Sequence, residues 1–236
     1  MKTITIMNIR ILWTDFVDLI FPRCCEACDE PLVGNEEIIC TSCIISLPRI
    51  DKNSIHVESL KYKFINIPEV LSTSAYLLFT KRGKVQKLLH ALKYKGNQDV
   101  GVLLGFMFGQ EMIADNVLPK AELIVSVPLH KKKISSRGYN QSDLLAEGFS
   151  KATNIPWSGT TLFRNKYTET QTGKSKKERQ ENVSGVFEVN GTLEYKSVII
   201  MDDVLTTGAT LAACVEALRK VGCEEFHILT IAVAQH

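Results

Sequence analysis

Residues 198–211 constrain the fold more than any other part of the sequence. The stretch begins with the apolar run Val-Ile-Ile-Met, reaches Asp202 and Asp203, and then passes through a Thr/Gly loop into an amphipathic segment. A helix that starts in such a loop can hold an anion with the backbone N–H groups at its positive end. The two carboxylates can hold hydroxyl groups or a hard cation such as Mg²⁺. The pattern predicts a strand, a loop and a helix around a phosphorylated ribose.

The loop, which we call the phosphate loop, consists of Thr206, Thr207, Gly208, Ala209 and Thr210. Other phosphate-binding motifs do not match it. A Walker A loop needs a lysine directly after its second glycine, and a dinucleotide fold needs Gly-x-Gly-x-x-Gly. A receiver-type phosphoacceptor site places its acidic pair near the start of its domain, whereas this pair lies near the end of the chain. The alternative is a purely structural segment, a buried strand followed by an ordinary capped helix. It does not explain why two carboxylates are adjacent at the end of a buried strand.

The apolar periodicity alternates between strands and helices along most of the chain. We expect strands over 73–79, 122–128, 195–201 and 225–233, and helices over 84–94, 99–114, 141–152 and 208–220. Strands separated by helices imply right-handed crossovers and a parallel sheet, with ligands bound outside the carboxyl ends of the strands. The predicted fold class is therefore α/β.

Two further segments are predicted to face the acidic pair. A basic loop follows strand 122–128 and fits a pyrophosphate; its basic residues are Lys131, Lys132, Lys133 and Arg137. Segment 164–183 has six basic residues and no apolar periodicity, which is typical of a mobile lid that orders over an anionic ligand. A surface loop without a role is the alternative. The lid residues that we single out are Lys174, Lys176, Lys177 and Arg179.

Five of the seven cysteines lie between positions 24 and 43. Two Cys-x-x-Cys pairs, Cys25 with Cys28 and Cys40 with Cys43, predict a closed tetrahedral thiolate site for a structural zinc ion. An iron–sulfur cluster is the alternative metal centre, and two disulfides fit poorly with a reducing cytoplasm. Cys24 is the spare cysteine and remains an alternative ligand to Cys25.

The chain of 236 residues is long enough for one main domain and an appendage. We expect an amphipathic helix at about 9–20 and the cysteine module within 1–47, a linker over 48–70 and the main domain over 71–236. No apolar stretch reaches the ~20 residues of a membrane span, and no signal-peptide cleavage pattern follows the first apolar segment. The expected location is the cytoplasm.

The net charge of +2 hides two basic blocks. Residues 81–95 contain six basic residues and no acidic one, and residues 129–183 contain eleven basic and five acidic residues. This segregation indicates a surface that meets phosphates, either of a small ligand or of a nucleic acid. A solvated lysine-rich face is the alternative for either block alone.

Four motifs in order resemble the ComF family of competence proteins. They are Phe-Pro-Arg-Cys-Cys-Glu-Ala-Cys, Val-Pro-Leu-His-Lys-Lys-Lys with Arg-Gly-Tyr-Asn-Gln-Ser, Gln-Thr-Gly-Lys-Ser-Lys-Lys-Glu-Arg-Gln-Glu-Asn-Val, and the stretch 198–210, which is similar to the phosphoribosyl pyrophosphate (PRPP) loop of type I phosphoribosyltransferases. The resemblance implies a zinc module on a type I phosphoribosyltransferase fold and a role in natural transformation, with imported single-stranded DNA and competence-machinery proteins as partners. By position it implies that Asp202 and Asp203 bind the ribose hydroxyls and Mg²⁺, and that the phosphate loop encloses the 5′-phosphate.

Two functions remain open at this point. In the first, the basic blocks bind single-stranded DNA, and Tyr94, Tyr139 and Tyr167 are available for base stacking. In the second, the chain transfers phosphoribosyl from PRPP to an unidentified nitrogen acceptor. Several purine salvage enzymes carry an aspartate where this chain has Thr206, and a threonine hydroxyl is a poor general base near neutral pH. The sequence therefore specifies a PRPP pocket better than it specifies a reaction.

Overall fold

A computed structural model of the chain describes residues 22–51, 55–164 and 185–234, except the side chains of 55–57. The predicted amphipathic helix at 9–20 lies outside the described residues, as does all of the predicted lid except Arg164.

The chain divides into two compact units, Met1–Leu47 and Pro48–His236. The described part of the first unit contains an antiparallel bridge between Cys24 and Pro31 and helix α1, Thr41–Ile45. Cysteines supply much of its small interior, whose buried residues include Cys25, Ala27, Ile39 and Cys43.

Among the described residues, the second unit is built on a five-stranded parallel sheet. Its strands are β1 (Val70–Phe79), β2 (Leu123–Ser126), β3 (Trp157–Ser158), β6 (Ser197–Leu205) and β7 (Glu225–Ala234). Their spatial order is β1-β7-β6-β2-β3. Strands β4 (Leu162–Arg164) and β5 (Phe187–Val189) form a separate antiparallel pair. The predicted α/β class with a parallel sheet is confirmed.

The described helices of this unit are α2 (Ile55–Tyr62), α3 (Lys84–Tyr94), α4 (Asp99–Ala114), α5 (Lys131–Arg137), α6 (Gln141–Thr153) and α7 (Ala209–Arg219). Successive side chains of a strand point to opposite faces of a sheet. Val198 and Ile200 of β6 accordingly share one core with α7 and the β4–β5 pair, while α6 packs against β2 and β6 on the other side. No described helix is both long and apolar enough to cross a bilayer.

Helices α4 and α6 cross at very close range because both carry glycine at the contact. A Cβ placed on Gly105 would lie 2.1 Å from the carbonyl oxygen of Leu145, and one on Gly148 would lie 2.0 Å from that of Val102. This crossing fixes α6, whose first turn lies at the carboxyl ends of β2 and β6.

Three segments differ from the sequence expectations. Residues 48–70 do not form an open linker, because they contain α2 and bring Leu60 and Phe64 into the core of the second unit. Strand β6 does not stop before the acidic pair but continues through it to Leu205, paired with β7. The basic segment after β2 forms the helix α5 rather than a loop. This helix ends after Arg137, where Gly138 adopts a left-handed conformation with φ +86°.

Candidate functional site

The acidic pair lies near the carboxyl end of β6. Asp202 Oδ1 accepts hydrogen bonds from Ser142 Oγ and from the backbone N–H of Asp203, both at 2.9 Å. Burial, with the neighbouring charge of Asp203, raises the pKa of the Asp202 carboxyl to about 7, against the opposing effect of these hydrogen bonds. Desolvation of a carboxylate at the end of a central strand is typical of a functional site rather than of a structural one.

Asp203 is paired with a lysine from a distant helix. Asp203 is 6% exposed, and its Oδ2 lies 2.6 Å from the Nζ of Lys93 in α3. The contact is an ion pair between a helix and the central strand. The two carboxylates fit a hard cation by their donor chemistry, and the ammonium of Lys93 supplies a positive charge beside Asp203.

The phosphate loop follows directly after β6 and leads into α7. Gly208 has φ +84° and is the N-cap of α7, so the loop turns the N-terminal N–H groups of the helix toward the carboxyl edge of the sheet. Lys63 Nζ donates to the carbonyl oxygen of Thr206 at 2.6 Å. Thr207, Gly208 and Ala209 also line one end of an open cavity of about 400 Å³.

Gly208→Ala is expected to destabilise the fold by about 1–3 kcal/mol, because φ is positive there. The added Cβ would also lie 3.0 Å from the ring of buried Phe64. Urea unfolding measures the loss. Gly191→Ala is the matched control, since Gly191 has φ +76° but a Cβ added there would meet no atom within 4 Å. An equal loss in both variants would contradict the contact with Phe64.

Of the three lysines in the basic helix α5, one is less exposed and interacts with the site. Burial lowers the pKa of Lys133, as do the positive charges of Arg164, Arg137 and Lys93, while Asp203 raises it. Lys131 and Lys132 are exposed. The structure thus brings Lys133 within electrostatic reach of Asp203 and of Arg137, and it leaves the other two lysines on the surface.

A network of buried polar residues connects to the acidic pair through the first turn of α6. The side chain of Asn140 caps α6 by accepting from the backbone N–H of Ser142 at 3.3 Å. Its Nδ2 donates to Asp143 Oδ1 at 2.7 Å and to the carbonyl oxygen of Val127 at 3.1 Å. Asp143 Oδ1 also accepts from Ser126 Oγ at 2.5 Å. The network joins the ends of β2 and β6 through the first turn of α6.

Sequence reasoning missed several of these residues. Lys93 was counted only as part of a basic block, and nothing in its local pattern connects it with β6. Arg164 was assigned to the lid, whereas it ends β4, is half-buried and lies with its guanidinium carbon 5.5 Å from the ring centroid of Phe187. The motif 137–142 contained a usable signal, because an asparagine before an amphipathic run is a common N-cap.

The cysteine cluster forms a second candidate site, within the first unit. The sulfur atoms of Cys25, Cys28, Cys40 and Cys43 all lie within 4.8 Å of one another. The Cys28 and Cys40 sulfurs are 3.8 Å apart, which matches the ~3.8 Å between ligands in a tetrahedron with Zn–S bonds of about 2.3 Å. Cys24 is exposed and bonds to the carbonyl oxygen of Pro22 instead.

The local backbone stabilises one thiolate in this cluster before any metal arrives. Burial raises the pKa of Cys25, but the N–H groups of Cys40 and Ala27 outweigh it and lower the pKa to about 7. Burial raises the pKa of Cys43 to about 12. A buried thiol of this kind becomes a thiolate only with a cation beside it, so the donor set fits a metal ion.

A family model described as a phosphoribosyl transferase domain matches residues 134–236. The chain is 39% identical over 116 residues to Competence protein F of Haemophilus influenzae, which covers 48% of this chain and 51% of that protein. It is 30% identical over 146 residues to Competence protein ComFC of Bacillus subtilis, covering 61% and 58%. It is 30% identical over 138 residues to DNA utilization protein YhgH of Escherichia coli (strain K12), covering 57% and 61%. The chain thus spans between 51% and 61% of the length of these relatives.

Among solved structures, the purine phosphoribosyltransferase from Pyrococcus horikoshii Ot3 is 23% identical with a TM-score of 0.34, covering 56% of this chain and 72% of that chain. The sequence relatives, the domain match and the motifs together show that the chain is similar to ComF-family competence proteins and that its residues 134–236 match a phosphoribosyl transferase domain.

Proposed function

We propose that the site at the carboxyl edge of the sheet binds PRPP together with Mg²⁺. The observation that carries this proposal is the meeting of three features at one edge: an acidic pair, a helix N-terminus behind a left-handed glycine, and a cationic group. A phosphorylated sugar that also carries a diphosphate needs all three.

The parts of the ligand can be assigned to parts of the site. The phosphate loop, Thr206 to Thr210, encloses the 5′-phosphate with backbone N–H groups. Asp202 and Asp203 hold the ribose hydroxyls and, through them, Mg²⁺, which neutralises charge on the diphosphate when bound. Lys133 and Arg137 bind the diphosphate, and Lys131 and Lys132 contribute positive field from the outer side of α5. The lid residues 174–179 are proposed to close over the ligand.

Fragments of the ligand test this assignment. Ribose 5-phosphate and pyrophosphate are each expected to bind in competition with PRPP, while binding together without mutual exclusion. Fluorescence competition with a labelled ligand at fixed Mg²⁺ measures both. If the two fragments exclude each other, or if neither displaces PRPP, the division of the site is wrong.

In the first unit, we propose that the four-cysteine cluster holds a structural zinc ion. All four tetrahedral positions would be thiolates, which leaves none for water or substrate. Glu36 supports this role, because its Oε1 accepts from the backbone N–H of Thr41 at 2.6 Å and thereby orients the chain between Cys40 and Cys43.

We further propose that the protein handles single-stranded DNA imported into the cytoplasm during natural transformation. The names of its relatives support a DNA-uptake context, and helix α3 offers a surface. Lys87, His90 and Tyr94 are exposed along one side of α3. Arg137 lies with its guanidinium carbon 5.5 Å from the ring centroid of Tyr94. A basic groove with an aromatic ring is the usual platform for single strands.

Replacing Lys84 and Lys87 together with glutamine is expected to weaken single-strand binding and to make it less dependent on salt. Each lost phosphate contact should reduce the slope of log affinity against log salt by ~0.7, so the double variant should lose about 1.4. Fluorescence anisotropy with an oligonucleotide measures the slope. Lys120→Gln is the control, because Lys120 is exposed and distant in sequence from α3. An unchanged slope in the double variant would remove α3 from the DNA surface.

Transfer of phosphoribosyl from PRPP to a nitrogen acceptor is the second candidate function, favoured by the domain match. Thr206 is a weak general base at the start of the phosphate loop, so the acceptor would have to lose its proton by another route. Pyrophosphate release across nucleobases, ammonia and glutamine tests turnover. Release with any acceptor would establish an enzyme, and binding of PRPP without release would favour a ligand-sensing role.

A further inference from the structure

Lys93 lies in the last turn of α3 and reaches into the acidic pair from outside the residues matched by the phosphoribosyl transferase model. The side chains of Lys93 and Asp203 are 23% and 9% exposed, and their charged atoms are 2.6 Å apart. Asp202, by contrast, is satisfied by Ser142 and by a backbone N–H. Each carboxylate of the pair therefore has its own partner before a ligand arrives.

We propose that Lys93 is a built-in counter-ion of Asp203 that competes with a divalent cation for this carboxylate and is transferred to the diphosphate when PRPP binds. The inference rests on the proposed PRPP-binding function and assigns a further binding residue to it.

Competition follows from the position of the ammonium. A buried carboxylate next to a second carboxylate needs a compensating positive charge. Lys93 supplies that charge in the free protein. When no ribose hydroxyl covers the carboxylate, a metal ion that binds Asp203 directly must displace Lys93. The free protein should therefore bind a divalent cation more weakly than the same pair without the lysine.

The transfer to the diphosphate follows from the charges around Lys133. Arg164, Arg137 and Lys93 all lower the pKa of Lys133, so the ammonium of Lys93 is within electrostatic reach of the cationic group proposed to bind the diphosphate. The backbone of α3 is held in place, because the carbonyl oxygen of Leu92 accepts a hydrogen bond from the hydroxyl of Tyr139. The proposed transfer is a rotation of the Lys93 side chain on a helix that keeps its position.

The test uses Lys93→Met and two ligands, with the zinc-loaded full chain throughout. The affinity for Mn²⁺ alone, measured by water-proton relaxation, should be at least about threefold higher in the variant, because the competing charge is gone. PRPP with saturating Mg²⁺, followed by calorimetry, should bind about ten- to a hundredfold more weakly, the loss expected for one charge-assisted contact. A residue with only a structural role would weaken both ligands.

Controls separate the possible outcomes. Lys95→Met, two positions away on an exposed residue, should change neither affinity, and Lys93→Arg should retain most of the PRPP affinity. Lys93→Gln is measured beside Lys93→Met, so that the test does not depend on the folding of one variant. Unchanged PRPP affinity in Lys93→Met, or weaker Mn²⁺ binding, would overturn the inference. If the wild-type protein itself fails to bind PRPP, the proposed function falls instead.

Discussion

Asp202→Asn combined with Asp203→Asn is expected to abolish measurable Mg²⁺-dependent PRPP binding. Each carboxylate is proposed to accept charge-assisted hydrogen bonds from ribose hydroxyls and to favour the metal, and each such group contributes about 1.5–3 kcal/mol. The two losses together predict at least ~100-fold weaker binding. Asparagine keeps the shape of the side chain, so calorimetry compares two proteins that differ in charge and not in volume.

The stability of the single variants provides the control. Burial raises the pKa of Asp202 to about 7, above its unfolded value, so the stabilising protonated form is lost as the pH rises through 7. Asp202→Asn should therefore melt no lower than the wild type at pH 8. Asp203→Asn removes the partner of Lys93 and should melt lower. PRPP binding that survives in a folded double variant would contradict the assignment of the acidic pair.

Cys43→Ser is expected to release the metal and to unfold the first unit. Structural zinc contributes about 10 kcal/mol or more to small thiolate modules, and a module of this size has little apolar surface to replace it. Elemental analysis should give one zinc per chain in the wild type and much less in the variant. Limited proteolysis should then cleave within residues 22–47 of the variant while the second unit remains protected.

Cys24→Ser is the matched control, because Cys24 is exposed and lies outside the four-sulfur cluster. It should leave metal content and proteolysis unchanged. Full zinc content in Cys43→Ser, or loss of zinc in Cys24→Ser, would show that the ligand set is wrong. Iron with visible absorption in place of zinc would establish the iron–sulfur alternative.

The fold followed from the sequence where the apolar period was strong. Helices α3 and α4 match the predicted ranges closely, since their buried residues recur at helical spacing. Strand β7 also matches, but as a continuous buried apolar run without alternation. The two-residue strand β3 and helix α2 were missed. A short edge strand has too few residues for a period, and α2 is recognisable mainly by tertiary burial of Leu60.

The candidate site was partly predictable because several of its parts follow strands that have a clear apolar pattern. The acidic pair, the phosphate loop and α5 lie at carboxyl ends of strands that the alternation already identified. Lys93 and Ser142 reach the site from other elements, and no local pattern encodes which lysine of a basic helix turns inward. Strand β6 also continued past the expected stop, because pairing with β7 through Val204 outweighs the low strand preference of aspartate.

The most direct test of the central claim is a calorimetric titration of the zinc-loaded wild-type protein with PRPP, in buffers with and without Mg²⁺. We predict saturable binding of one PRPP per chain that depends on Mg²⁺. Absence of saturable binding at millimolar PRPP, or binding of equal strength without Mg²⁺, would contradict the assignment of this edge of the sheet as a PRPP site.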